Sequence, residues 1–311
     1  MNSARPSEVK SMRVLVTGGE GFTGRYMRAE LEAHGHEVVS ISHRADGSAD
    51  LAVDLCDREA VRSALSNIRV DAVIHLAAIA FVAHGDVEQM YRVNIVGTRN
   101  LLEALSSGSQ PPRVVLLASS ANIYGNSDSE VIDESVQAKP ANDYAVSKLA
   151  MEYMAKTWMD RLPIVIARPF NYTGVGQSKQ FVIPKIVDHY VRRQPVVELG
   201  NIDVIRDFQD VRDVVSTYRK LIELAPVGAT FNLCSGIGHS LGDVLQMLAE
   251  RVGYRIKVDV NPQFVRSNEV VRLVGDSSKV NALIGSASRR TLSETLGWMV
   301  KQAAPSGVAS E

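Results

Sequence analysis

Eight residues wedged between an apolar run and a helical stretch constrain this chain more than anything else in it. TGGEGFTG occupies residues 17–24, at the end of RVLVT (13–17) and at the start of a helix-like stretch from Phe22 to His34. Gly18, Gly21 and Gly24 fall in the spacing G-x-x-G-x-x-G. Glycine lets the backbone turn tightly and approach a pyrophosphate, and a helix N-terminus adds amide donors and the positive end of a dipole. A strand, a glycine loop and a helix in that order predict the first unit of a dinucleotide-binding sheet. Gly18, Gly21, Phe22, Thr23 and Gly24 are its candidate cofactor contacts.

The chain keeps that alternation for about half its length. HEVVSIS ends a second strand near Ser42, and DAVIHLAA (71–78), RVVLLASS (113–120) and LPIVIARP (162–169) follow, with helical stretches such as VEQMYRVNIVGTRNLLEALSS between them. Short β-branched runs separated by helices imply a parallel sheet covered on both faces. The fold class is therefore α/β, a Rossmann-type doubly wound parallel sheet with a smaller α/β substrate-binding domain. After Pro169 the rhythm weakens. The expected division is residues 12–170 for the dinucleotide domain, with a return near 207–234, and 171–206 with 235–300 for the substrate domain. Residues 1–11 and 301–311 read as flexible tails.

The second strand bears on which dinucleotide is held. An acid at its end would bind the adenine ribose hydroxyls of NAD. Here the strand ends Ser40-Ile41-Ser42-His43-Arg44, so no carboxylate repels a 2′-phosphate and Arg44 is placed to pair with one. NADP(H) is favoured over NAD(H), although Arg44 also reads as a solvated surface residue. Asp54 and Leu55 follow the next short strand and border the adenine, unless Asp54 simply caps the helix beginning near Asp57.

Tyr144-Ala-Val-Ser-Lys148 lies in a helical stretch, where i, i+4 spacing puts tyrosine and lysine on one face. A nearby ammonium lowers a phenol's pKa and makes it a better proton donor and acceptor. Ser119 and Ser120 end an apolar strand, at the carboxyl edge where open α/β sheets bind ligands. Y-x-x-x-K alone is common. Combined with the glycine loop and a strand-end serine it points to Ser120, Tyr144 and Lys148 as a catalytic set.

These elements, TGGEGFTG, HLAA (75–78), ASSANIYG (118–125), YAVSK (144–148) and RPFN (168–171), resemble the extended short-chain dehydrogenase/reductase family, also described as NAD-dependent epimerases and dehydratases, across nearly all of residues 12–300. The resemblance implies that Ser120 and Tyr144 bracket the reacting oxygen with Tyr144 as acid/base. It implies that Lys148 binds the nicotinamide ribose and tunes Tyr144, that Ala77 borders the cofactor, and that Asn94 orders the central helix near the active site. Read from composition alone, Asn94 is only a helix-breaking polar residue. Sugar dehydratases of the family usually carry a Glu two residues after the catalytic Ser or Thr. This chain has Ala121 and Asn122 there, neither of which is a carboxylate acid or base.

Toward the C-terminus, VGQSKQFVIPKIV (175–187), GNIDVIRDFQDVRDVV (200–215), FNLCSGIG (231–238) and NPQFVRSNEVVRLVGDSSKV (261–280) resemble the GDP-6-deoxy-4-keto-D-mannose reductase subgroup. By that resemblance Arg206 and Arg266 are ligands for a nucleotide-sugar diphosphate, Glu269 for the nucleotide ribose, and Asn171 and Lys185 line the sugar or nucleotide cleft. Arginine suits a diphosphate and a carboxylate suits a diol. A surface ion pair is the competing reading for the charged positions.

Composition excludes other classes. The 311 residues carry a net charge of −1, which gives no general attraction to nucleic acid or acidic membranes. Cys56 and Cys234 are the only cysteines, too few for a disulfide framework or a cysteine zinc site, and read as reduced core thiols. No metal is expected. A polar N-terminus without an apolar signal core, and no stretch of transmembrane length, favour the cytoplasm. The expected function is NADPH-dependent reduction of the C4 ketone of a nucleotide-activated 4-keto-6-deoxyhexose, GDP-4-keto-6-deoxy-D-mannose to GDP-D-rhamnose. A 4-epimerase with tightly bound NAD is the alternative, and a non-catalytic NADP(H)-binding regulator the remote one. The resemblance also implies a homodimer built on a helix pair.

Overall fold

The computed structural model describes residues 10–43, 49–80, 86–108, 110–264, 268–285 and 289–303. In chain order its elements are β1 (Arg13–Thr17), α1 (Phe22–Ala33), β2 (Glu37–Ser42), β3 (Leu51–Ala52), α2 (Arg58–Ser66), β4 (Ala72–His75), α3 (Val87–Tyr91), α4 (Thr98–Ser107), β5 (Val114–Ala118), α5 (Asp143–Lys156), β6 (Ile164–Pro169), β7 (Asn171–Thr173), α6 (Val182–Val191), β8 (Val196–Leu199), β9 (Ile205–Asp210), α7 (Val211–Leu224), β10 (Thr230–Leu233), β11 (Gly238–Ser240), α8 (Leu241–Val252), β12 (Lys257–Val260), β13 (Arg272–Leu273), α9 (Ser278–Ile284) and α10 (Leu292–Ala303).

The main sheet has seven strands in the order β10-β6-β5-β4-β1-β2-β3, all paired in parallel. Its strands read as continuous apolar runs because both faces are covered. Val14, Val16, Val114 and Leu116 face α1 and α7, while Leu15, Val115 and Leu117 face α2, α4 and α5. Strand order reverses between β1 and β4, so the carboxyl ends of these strands open a crevice at the switch point. Thr17, opposite His75 in register, lies at that point.

A second core gathers α6, α8 and α10 over β8 and β9, around Ile186, Tyr190, Val244, Leu248 and Leu296. A third, small cluster joins the two. Ala121, Ile123 and Tyr124 from the turn after β5 pack there with Phe170, Val270 and Leu273.

Several local expectations are revised. The long helix between β4 and β5 is interrupted by a π-helical turn, Arg92–Gly97, between α3 and α4. Asp57, not Asp54, caps α2 by accepting the Ala60 amide at 3.0 Å. Asp54 accepts the Cys56 amide in the preceding turn. Cys234 is buried, but Cys56 is only half-buried in that same turn. Residues 301–303 close α10 instead of opening a tail. Ser11 is tied to the Gly35 carbonyl at 2.6 Å. Arg44 and Arg266 lie outside the described residues. Among the described residues no helix is long and apolar enough to cross a membrane.

Candidate active site

The loop after β1 is shaped by what a side chain would hit. Gly18 has φ of 71°, and a Cβ there would approach the Ala77 nitrogen to 2.9 Å. At Gly24 a Cβ would overlap the Gly18 carbonyl oxygen, so only glycine lets α1 start this close to the loop. The first intrahelical bond runs from the Arg25 amide to the Gly21 carbonyl at 3.1 Å. The amides of Phe22, Thr23 and Gly24 precede it, and no side chain caps them. A concave backbone ending in uncapped helix amides fits a pyrophosphate.

Beside the loop, the switch point is tied together by hydrogen bonds. His75 sits 2.7 Å from the Thr17 hydroxyl through Nδ1 and 2.8 Å from the Thr98 hydroxyl through Nε2. Thr98 donates its proton to the Asn94 carbonyl at 2.8 Å, so it must accept from His75, and the imidazole carries its proton on Nε2. Burial drives the His75 pKa down to about 3, which keeps the ring neutral. Asn94 lies in the π-helical turn. It takes the Ile79 amide at 2.9 Å and donates to the Ile79 carbonyl and the Ser147 hydroxyl at 3.1 and 3.0 Å. All its polar atoms engage protein, so it orders the loop beyond Ala77 and anchors α5.

The candidate acid/base residues converge on this edge. Asn142 caps α5 through the Ala145 amide at 2.9 Å, and one turn in, Tyr144 and Lys148 share a face. Ser120 follows β5, is buried, accepts the Asn122 amide at 3.2 Å and lies close enough to the Tyr144 phenol to favour its phenolate. Burial pushes the Tyr144 pKa well up, with the neighbouring Tyr172 adding to the rise and Ser120 opposing it. This corrects the expected lowering by Lys148. Desolvation of the phenolate dominates, Lys148 is not among the groups that shift it, and the phenol stays protonated. Lys148 is 5% exposed and donates to the Ala118 carbonyl at 2.7 Å. Burial lowers its pKa to about 8, against the pull of Glu152. A buried ammonium with a single acceptor has donors left for ribose hydroxyls.

Residues that sequence reasoning missed surround this set. Glu152, one turn beyond Lys148, is buried in a bidentate pair with Arg168 at 2.9 and 2.7 Å. Arg168 also donates to the Tyr124 hydroxyl at 2.8 Å, which donates to Asn232 at 2.7 Å. Tyr172 stacks on Phe22 at 6.2 Å and meets the Thr23 hydroxyl at 2.8 Å. Asp50, from the neighbouring strand's approach, takes the Ser40 amide and hydroxyl at 2.7 and 3.0 Å, and those bonds hold its carboxyl below the usual range. Strand β2 itself ends without an acid, but a carboxylate therefore stands beside it, with Arg28 nearby. The RPFN segment flagged Arg168. Nothing flagged Asp50 or Tyr172, whose contacts depend on strand pairing and chain reversal.

The expected cofactor-side pair Asp54 and Leu55 follow edge strand β3 at the carboxyl end of the sheet. Asp54 is exposed, and Leu55 is buried against Gly97, its carbonyl taken by Asn100 at 2.9 Å. On the substrate side, Asn171 begins β7 and is half-buried. Lys185 on α6 donates to the Glu198 carbonyl at 2.7 Å and lies 4.6 Å from the Phe264 ring centre. Arg206 on β9 donates to the Ile205 and Val271 carbonyls at 2.9 and 3.4 Å. The Glu269 carbonyl accepts from Asn126 at 2.9 Å. No group of metal-binding side chains occurs among the described residues.

The family model described as GDP-mannose 4,6 dehydratase matches residues 15–299. The GDP-6-deoxy-D-talose 4-dehydrogenase of Aggregatibacter actinomycetemcomitans is 34% identical over 90% of this chain and 94% of its own length. The GDP-6-deoxy-D-mannose reductase of Pseudomonas aeruginosa is 31% identical over 92% and 95%. A crystal structure from Burkholderia cenocepacia J2315, provisionally described as an epimerase, is 54% identical with a TM-score of 0.87, covering 96% of this chain and 99% of that one. The structure of RMD from Pseudomonas aeruginosa complexed with NADPH is 30% identical with a TM-score of 0.83, covering 94% and 99%.

Proposed function

Because the chain belongs to the GDP-mannose 4,6 dehydratase family, extended short-chain enzymes that use a nicotinamide cofactor on nucleotide sugars, we propose that it reduces the C4 ketone of GDP-4-keto-6-deoxy-D-mannose with NADPH, forming GDP-D-rhamnose. One observation carries this reading. The turn after β5 offers the Ser120 hydroxyl beside Tyr144, with Ala121 buried and Asn122 next to it and no carboxylate at either position for elimination. Family membership and dehydration chemistry therefore part company in this chain.

A bound nicotinamide supplies the hydride. Gly18, Gly21, Phe22, Thr23 and Gly24 hold its pyrophosphate, Asp54, Leu55 and Ala77 border it, and Asn94 keeps that edge in shape. Lys148 gives its free N–H groups to the ribose. Ser120 donates a hydrogen bond to the developing C4 alkoxide and Tyr144 transfers its proton there. Arg206 and Arg266 hold the diphosphate, Glu269 the nucleotide ribose, and Asn171 and Lys185 the rest of the cleft. The NADPH preference is assigned to Arg44 and to the missing acid at Ser42, against the pull of Asp50. Dimerisation belongs to this reading, supported by exposed Val96, Val146 and Tyr153 on the helices flanking the sheet, and sedimentation velocity tests it.

The test follows NADPH absorbance with the GDP keto sugar and identifies the product by NMR. Stoichiometric oxidation with an equatorial C4 hydroxyl supports the proposal. An axial hydroxyl instead gives GDP-6-deoxy-D-talose, a second reading favoured by the 34% identical relative. Interconversion of two sugars without net NADPH loss overturns both in favour of an epimerase. Any turnover removes the non-catalytic regulator.

A further inference from the structure

The turn that carries Ser120 continues to Asn126, an exposed residue with a specific grip on a distant segment. Its Nδ2 donates to the Glu269 carbonyl at 2.9 Å and its Oδ1 accepts the Val271 amide at 2.9 Å. One side-chain amide thus makes the two bonds that a neighbouring strand would make to residues i and i+2. The other edge of the segment is held by β9, where the Ile205 amide donates to the Val271 carbonyl at 2.9 Å. Val270, between the two Asn126 bonds, is buried with Ala121, Ile123 and Tyr124. Further along, Arg272 donates to the Glu130 carbonyl at 3.0 Å and the Ile132 amide to the Val274 carbonyl at 2.9 Å.

The connection back to Ser120 is short and stiff. Ser120 caps the 3-10 turn Ala121–Tyr124, and Gly125 follows at φ of 58° against the Lys139 backbone, where a Cβ would overlap the carbonyl oxygen. We propose that Asn126 is a positioning residue that holds the segment carrying Glu269 in place for the nucleotide end of the substrate, beside the turn that carries Ser120. The inference rests on the reading of Glu269 as a nucleotide ligand. By fixing the Glu269 segment before the nucleotide arrives, Asn126 removes an ordering cost from binding of the nucleotide end, a gain that enters substrate affinity and not the proton transfer itself.

Asn126→Ala removes both bonds from an exposed side chain and opens no cavity. Asn126→Asp keeps the acceptor for Val271 and sets an oxygen against the Glu269 carbonyl. Calorimetric titration with GDP, and separately with NADPH, is run beside steady-state kinetics and thermal melting. The expected result for both variants is a GDP Kd and a sugar-nucleotide KM raised about tenfold, with kcat within about twofold. The NADPH Kd and Tm stay at wild-type values. Unchanged GDP affinity in both variants overturns the inference and leaves the proposed function standing. Parallel loss of GDP and NADPH binding also overturns it, since that marks general unfolding. A wild-type chain that binds neither GDP nor UDP removes the functional reading and this inference together.

Discussion

At the carboxyl edge of the seven-stranded sheet, Thr17, His75, Thr98 and Asn94 form an unbroken hydrogen-bonded chain, and Asn94 continues it to Ser147 beside Lys148. Across the crevice, Lys185, Arg206 and Glu269 come from three separated segments and are fastened chiefly through backbone carbonyls. The first region is saturated by its own side chains and positions chemistry tightly. The second is fastened by main-chain contacts drawn from segments far apart in the chain.

That contrast is most sharply broken at Tyr144. Tyr144→Phe is expected to lower kcat roughly a thousandfold while NADPH affinity, measured by fluorescence titration, stays near wild type. A near-normal kcat removes Tyr144 from the mechanism. Next is Gly24→Ala, whose Cβ would overlap the Gly18 carbonyl. The overlap should cost ~1–3 kcal/mol of stability by urea denaturation and weaken NADPH binding, and wild-type values for both would mean the loop yields easily. In the second region, Arg206→Ala is expected to raise the sugar-nucleotide KM about tenfold with kcat little changed. An equal loss in kcat would place Arg206 with the rigid region instead.

The smallest effect is in pH. Lys148 loses its proton near 8, well below the usual lysine value, while the raised Tyr144 remains a phenol there. The reductive rate is expected to be flat below about pH 8 and to fall above it. Glu152 raises the Lys148 pKa, so Glu152→Gln should move that limb to lower pH, and an unmoved limb would assign it to another group. The stability term runs the other way. Between pH 8 and the unfolded lysine value the unfolded chain binds the extra proton, so Lys148's contribution to stability rises with pH across that window.

The rigid region was largely legible in the sequence because its signals are local. Gly18, Gly21 and Gly24 sit within one turn of a strand, Tyr144 and Lys148 within one turn of a helix, and the apolar runs of β1, β4, β5 and β6 stand where their strands form. Within the expected return near 207–234, β10 pairs in parallel with β6. What escaped was set by contacts between distant residues. Tyr172 reaches Thr23 across 149 positions and Asn126 reaches Glu269 across 143, and no periodicity encodes either. The sign of the Tyr144 shift also escaped, because spacing reports the nearby ammonium but not how little water reaches the phenol.

The π-helical turn at Arg92–Gly97 has a consequence for how this helix tolerates change in length. Such a turn amounts to one residue more than an α-helix would need, and each residue in a helix is worth about 100° of rotation. Deleting a single position there would leave a smoother helix whose two ends still face the sheet. Asn94, however, would swing away from Ile79 and Ser147. The irregular turn therefore acts as a spacer of fixed length. Homologous exchange of this helix between relatives preserves the site only when the extra residue travels with it.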